Sequence, residues 1–157
     1  MTSPKISVLI PTYNYARYLP EALDSILGQD CTDFEVIISD DASSDNTAEV
    51  VAPYAARDAR IQFQRQTKNL GMVANWNWCL QQARGDYIHY LFADDFFIDS
   101  SALSRLAAQL DQHPDAGLAV AARRLADDSS RLGMVAENLE REGIHDGKAT
   151  IRRCLLV

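Results

Sequence analysis

Apolar runs of strand length alternate along this chain with segments of helical period. ISVLI, Ile6 to Ile10, is β-branched and almost wholly apolar, as a strand buried on both faces should be. It is expected to end at Pro11, which offers no backbone N–H. A helix is predicted from about Tyr18 to Gln29, with Leu19, Leu23, Ile26 and Leu27 on one stripe. FEVIIS, Phe34 to Ser39, reads as a second buried strand. DDASSDNT is rich in turn and N-cap formers, so a helix from about Thr47 to Ala56 should follow it. RIQFQ, Arg60 to Gln64, alternates and reads as a third strand nearer a sheet edge.

Beyond it, Met72, Trp76, Cys79, Leu80 and Ala83 fall at helical spacing, and Gly85 suits a helix C-cap. DYIHYLF should be a fourth strand, DSSALSRLAAQLDQHPD a helix closing at Pro114, and GLAVAARRL a fifth strand. Strands alternating with helices predict an α/β fold, a mainly parallel Rossmann-like sheet with helices on both faces. Ligands of such sheets bind outside the C-terminal ends of the strands. The first, second and fourth strands deliver PTYN, DDASSDNT and ADDFF to those ends, and two of the three carry adjacent aspartates.

Bulk properties narrow the class. The chain has 157 residues, 47% apolar and 24% charged, enough for one domain with a real core. A net charge of -7 argues against a nucleic-acid partner, which needs a basic patch. No run approaches membrane-spanning length, and the first residues lack the marks of a signal peptide. Cys31, Cys79 and Cys154 lack metal-type spacing and read as reduced thiols, so a cytoplasmic location is expected. Neither G-x-G-x-x-G nor G-x-x-x-x-G-K-[ST] occurs.

Each candidate residue has an ordinary reading beside a chemical one. Either Asp40 ends the strand and Asp41, with the Ser-Asp-Asn cluster Ser44 to Asn46, caps the following helix, or one carboxylate accepts the ring N–H of a base. Tyr13 either packs in the core or presents its ring for stacking; Asn14 reads as a turn former. Asp94 and Asp95 either form a solvated turn, with Asp99 capping the next helix, or hold a divalent cation. Phe92, Phe96 and Phe97 favour the cation, because carboxylates shielded by aromatic rings need a neutralising charge. His89 reads as structural, Trp76 as core and Trp78 as nearer the surface, while Arg123 and Arg124 suit a solvated edge.

The ordered motifs ISVLIPTYNYARYLPEALDSILGQDCTDFEVIISDDASSDNT and NLGMVANWNWCLQQARGDYIHYLFADDFF closely resemble glycosyltransferase family 2, over about Lys5 to Asp115. The resemblance implies a GT-A fold and a metal-dependent inverting hexosyltransferase. Such an enzyme moves a sugar from a nucleotide-diphosphate donor to a saccharide or lipid-linked acceptor, in surface polysaccharide synthesis at the inner face of the membrane. Mn²⁺ or Mg²⁺ is the implied cofactor. Carried onto this sequence, Pro11, Thr12, Tyr13, Asp41 and Gly71 bind the nucleotide, with Tyr13 stacking on the base. Asp95 contacts the metal, and Asp94 the ribose or the metal.

Phe92 stands where many members carry the first acid of D-x-D-D. An inverting transferase also needs a general base. Glu137, Glu140, Glu142 and Asp146 match no motif, so residues 1–157 are expected to form a single donor-binding domain truncated before the acceptor region, with the base beyond Val157. The alternatives are a non-catalytic nucleotide-sugar-binding module and, fitting poorly, a receiver domain. The latter needs an acid pair after the first strand, where PTYN stands.

Overall fold

The computed structural model describes residues 3–121, 123–126 and 132–136. The chain divides into two compact units, Met1–Ala107 and Ala108–Val157. In the first, β1 (Ile6–Thr12), β2 (Phe34–Asp40), β3 (Ile61–Arg65) and β4 (Tyr87–Tyr90) form a four-stranded sheet of order β3-β2-β1-β4, every pair parallel. The helices α1 (Leu19–Leu27), α2 (Thr47–Arg57) and α3 (Met72–Gln82) connect the strands, and α4 (Ala102–Gln112) follows β4. β3 lies at an edge, as its alternating pattern suggested.

Both faces of the sheet are covered, which explains why β1 and β2 are buried along their whole length. Ile6, Val8 and Ile10 point to one face and pack with Leu19, Leu23 and Ile26 of α1, Val51 of α2 and Leu103 of α4. Leu9 and Ile37 point to the other and meet Cys79 of α3. That second face is mixed in character. Ser39 Oγ donates to Asn75 Oδ1 at 2.6 Å near the strand ends. At the opposite end, the buried Glu35 accepts from Ser7 Oγ at 2.7 Å, Gln62 Nε2 at 3.0 Å and Arg84 Nε at 3.0 Å. Burial would raise the Glu35 pKa, but the hydrogen bonds from Arg84 and Ser7 outweigh it and hold the group below its usual value.

Several details differ from the sequence reading. β1 runs through Pro11 to Thr12 rather than stopping at the proline. Lys5 and Leu9 turn their carbonyls to β4, whereas Ile6 and Thr12 bond on the β2 side. By that alternation Pro11 faces β4, where pairing has already stopped at Leu9↔Tyr90, so its missing N–H interrupts no ladder. Gly85 is not a cap: α3 ends at Gln82 with Ala83 as its cap, and a Cβ on Gly85 would lie 2.5 Å from the backbone nitrogen of Ser7. On α3, Met72 and Leu80 are exposed while Asn75 is buried, and Trp76 and Trp78 are both half-buried.

In the second unit, GLAVAARRL is not a strand throughout. β5 begins only at Arg123 (Arg123–Ala126) and pairs antiparallel with β6 (Leu132–Ala136). Arg124 is exposed there, as expected of a solvated edge. Among the described residues, no helix is long and apolar enough to cross a membrane.

Candidate functional site

With the order β3-β2-β1-β4, the chain winds one way from β1 to β3 and then crosses to the other side of β1 for β4. The strand order therefore reverses between β1 and β4, and a crevice outside their C-terminal ends is where such sheets take ligands. The loops leaving β1 and β4 flank that point, and the loop leaving β2 adjoins it.

The first two loops are stitched together. Asn14 takes up the left-handed conformation at φ 57, donates its N–H to Ser43 Oγ at 2.8 Å and accepts the Ser44 N–H on Oδ1 at 2.8 Å. Asp45 accepts the Ala16 N–H on Oδ2 at 3.0 Å and the Thr47 hydroxyl on Oδ1 at 2.6 Å. Partial burial opposes ionisation of Asp45, yet the bonds from Thr47 and Ala16 prevail and lower its pKa. Asp45 is thus the side chain that caps the entrance of α2, a role open to Asp41 on sequence grounds. Its signal was the D-x-T spacing, hidden among many equally good cap formers. Tyr13, held on this stitched loop, is 47% exposed and presents its ring outward instead of packing in the core. Pro11 and Thr12 beneath it are buried.

Asp40 and Asp41 are both buried. Asp40 Oδ1 accepts the Ser43 N–H at 2.9 Å, and Oδ2 lies 3.5 Å from Arg65 Nε. Arg65 also donates to the Ser43 carbonyl at 2.7 Å, so it ties the turn from the third strand, a role the sequence reading missed. The turn is tight enough to place Ala42 at φ 60. Asp41 reaches the entrance of α3, not of α2. Its Oδ1 accepts the Leu70 N–H at 2.6 Å and its Oδ2 the Gly71 N–H at 3.0 Å. Gly71 itself stands at φ 84, where nearly every other residue is strained, with open space where a Cβ would point. Thr12 Oγ1 and Asp40 Oδ2, neighbours in register, are buried and find no hydrogen-bond partner among the described residues.

Asp94 and Asp95 are exposed in the turn after β4, where the Asp95 N–H donates to the Phe92 carbonyl at 2.9 Å. This corrects the expectation of aromatic shielding. Phe92 packs against Trp76 with ring centroids 4.9 Å apart, on the α3 side, and Phe97 packs into the larger core beside His89 at 5.0 Å. Those two rings anchor the ends of the segment rather than cover the carboxylates. Burial lowers the His89 pKa, in keeping with a structural role. The Cys79 thiol is pushed up to about 12 by burial and is inert. Neither Cys31 nor Cys79 is in a disulfide.

No cluster of three or more metal-ligating side chains occurs among the described residues. Two exposed carboxylates nevertheless suit Mg²⁺ or Mn²⁺, which use one or two protein carboxylates and draw other ligands from phosphates and water. Glu137, Glu140, Glu142, Asp146 and Cys154 lie outside the described residues.

The family model for glycosyl transferase family 2 matches residues 7–153. Over 110 residues the chain is 41% identical to the GalNAc(5)-diNAcBac-PP-undecaprenol beta-1,3-glucosyltransferase of Campylobacter jejuni, covering 69% of this chain and 35% of that one. A crystal structure of Staphylococcus aureus TarS 1-349 in complex with UDP-GlcNAc superposes with a TM-score of 0.65 at 34% identity, covering 70% of this chain and 32% of that chain. The mannosyltransferase PcManGT of Pyrobaculum calidifontis, in complex with GDP-Man and Mn²⁺, gives a TM-score of 0.64 at 28% identity and covers 70% and 33%. The fold is the GT-A type. The chain spans about a third of the length of the curated relatives it matches.

Proposed function

As the chain belongs to glycosyltransferase family 2, we propose that it is the donor-binding part of a metal-dependent inverting glycosyltransferase. The whole enzyme moves a hexose from a nucleotide-diphosphate sugar to a hydroxyl of a saccharide or lipid-linked acceptor. Surface polysaccharide synthesis on the cytoplasmic face of the membrane is the matching process. The observation that carries this reading is the pair of acid turns after β2 and β4, one buried and amide-bound, the other exposed, beside the switch point of the sheet. Relatives that bind UDP-GlcNAc, or GDP-Man with Mn²⁺, support it.

In this reading the nucleotide lies across the mouth of the sheet. The outward ring of Tyr13 stacks on the base, while Pro11 and Thr12 floor the pocket. Two lone-pair directions of Asp41 are taken by Leu70 and Gly71, and one that remains accepts the ring N–H of the base. Gly71, bare of a side chain, lets the ligand approach the backbone. Asp95 would hold the divalent cation and Asp94 the ribose or the same cation. When bound, that cation supplies Lewis-acid neutralisation of the diphosphate leaving group. Inversion needs a general base on the opposite face of the sugar.

Calorimetric titration with UDP, GDP and dTDP, each with and without Mn²⁺, tests the reading. One nucleotide should bind, and more tightly with metal. Equally weak binding of all three, indifferent to Mn²⁺, would remove the donor-site assignment. Nucleotide release from a bound UDP- or GDP-sugar with added acceptor would separate a transferase from a pure binding module.

A further inference from the structure

Between Tyr90 and Ala102 the chain has no regular helix or strand, yet in the donor-site reading this segment holds two carboxylates in place for a cation. Upstream it is fixed by the Leu91 N–H, which donates to the Leu9 carbonyl at 3.0 Å. Downstream, apart from the Phe97 ring on His89 and contacts with the start of α4, its hydrogen bonds run to α1 and the residues just after it. The Phe97 N–H, two residues past Asp95, donates to Ser25 Oγ at 3.1 Å, while that hydroxyl donates to the Ala22 carbonyl at 2.8 Å.

Gln29, just past the end of α1, is 8% exposed and uses both ends of its amide. Its Nε2 donates to the Asp99 carbonyl at 3.0 Å and to the Ser25 carbonyl at 3.2 Å, and its Oε1 accepts the Leu103 N–H at 3.0 Å. The Leu103 N–H is one of the amides left without an intrahelical partner at the start of α4. The Asp30 N–H completes the brace by donating to the Ser100 carbonyl at 2.8 Å.

We infer that Ser25 and Gln29 are positioning residues for the acid pair, so that the cation affinity of Asp94 and Asp95 is set from α1. The inference rests on the donor-site reading above. The physical reason is preorganisation. A loop already fixed at both ends loses little freedom when its carboxylates close on a cation, whereas a loop released at its downstream end must be ordered by the cation itself. Groups that orient the ligands of a metal typically change its affinity by about 10- to 100-fold. The base, held by Tyr13 and Asp41 on the loops after β1 and β2, shares none of these ties, and the nucleoside meets the braced segment only where Asp94 reaches the ribose.

The test is Mn²⁺ titration followed by the electron paramagnetic resonance of the free ion. It uses the 157-residue chain with UDP or GDP, whichever the parent chain binds. Ser25→Ala and Gln29→Ala should each weaken Mn²⁺ by roughly 10- to 100-fold while changing metal-free nucleotide affinity far less. Ser25→Thr, which keeps the acceptor oxygen, should restore Mn²⁺ affinity. Parent-like Mn²⁺ binding in both alanine variants would overturn the inference. So would an equal loss of metal-free nucleotide binding, which would make the brace a matter of folding. A parent chain that binds nucleotide but no Mn²⁺ would remove the metal assignment and the brace together.

Discussion

The same dipeptide, Asp-Asp, closes two parallel strands on either side of β1, and the two copies live under opposite conditions. Asp40 and Asp41 are buried, and three of their four oxygens take backbone N–H groups from Ser43, Leu70 and Gly71, while Asp40 Oδ2 has the Arg65 guanidinium 3.5 Å away. Asp94 and Asp95 face solvent on a braced turn. A buried carboxylate is tolerable only when its lone pairs are met, so the β2 pair belongs first to the architecture and offers a ligand only what the backbone leaves over. An exposed pair costs the fold little and stands where a cation can approach from solvent. In the proposed function, identical residues thus divide into a rigid receptor for a flat base and a hard-oxygen site for a metal diphosphate.

That division predicts unequal consequences of substitution. The largest effect should come from Asp41→Asn, which turns one acceptor oxygen into a donor facing a backbone N–H. It should cost about 2 kcal/mol or more of stability in chemical denaturation and remove nucleotide binding. A variant of parental stability would deny the β2 pair its architectural role. Gly71→Ala follows: open space surrounds the new methyl, so the penalty is the backbone's alone, about 1–3 kcal/mol at this positive φ.

Tyr13→Ala should leave stability within about 0.5 kcal/mol and weaken nucleotide binding by about 1–3 kcal/mol. Parental affinity would remove the stacking role. Glu35→Gln, at the opposite end of the strands, should leave nucleotide affinity untouched, lower stability at neutral pH and flatten its decline in acid. The folded-state pKa of Glu35 is depressed, so the stability it adds is present above its ordinary value of 4.5 and is lost as pH falls through the lower folded value. Denaturation at a series of pH values should therefore show a shallower acid decline in the variant.

The strands and helices of the first unit were legible in the sequence because their patterns were extreme. Runs such as ISVLI and FEVIIS admit no solvent face, and the α1 stripe repeats cleanly. What escaped were properties of partners. Pro11 looks like a strand end until it is known that its nitrogen faces the side where pairing has stopped. Met72 and Leu80 look like core, but Asn75 takes the buried position because Ser39 beneath it is polar. The phenylalanines around Asp94 and Asp95 resemble a shield, since a one-dimensional pattern does not show Phe92 and Phe97 anchoring the turn from different clusters. At the site, the acid pairs and Tyr13 could be singled out early. Arg65 and Gln29 could not, because their work is done on backbone groups distant in sequence.

The most direct test of the division is nucleotide titration of Asp95→Ala with and without Mn²⁺. The account predicts that this variant binds nucleotide as the parent does in the absence of metal and gains nothing when Mn²⁺ is added. A variant that keeps the parent's full enhancement by Mn²⁺ would contradict it.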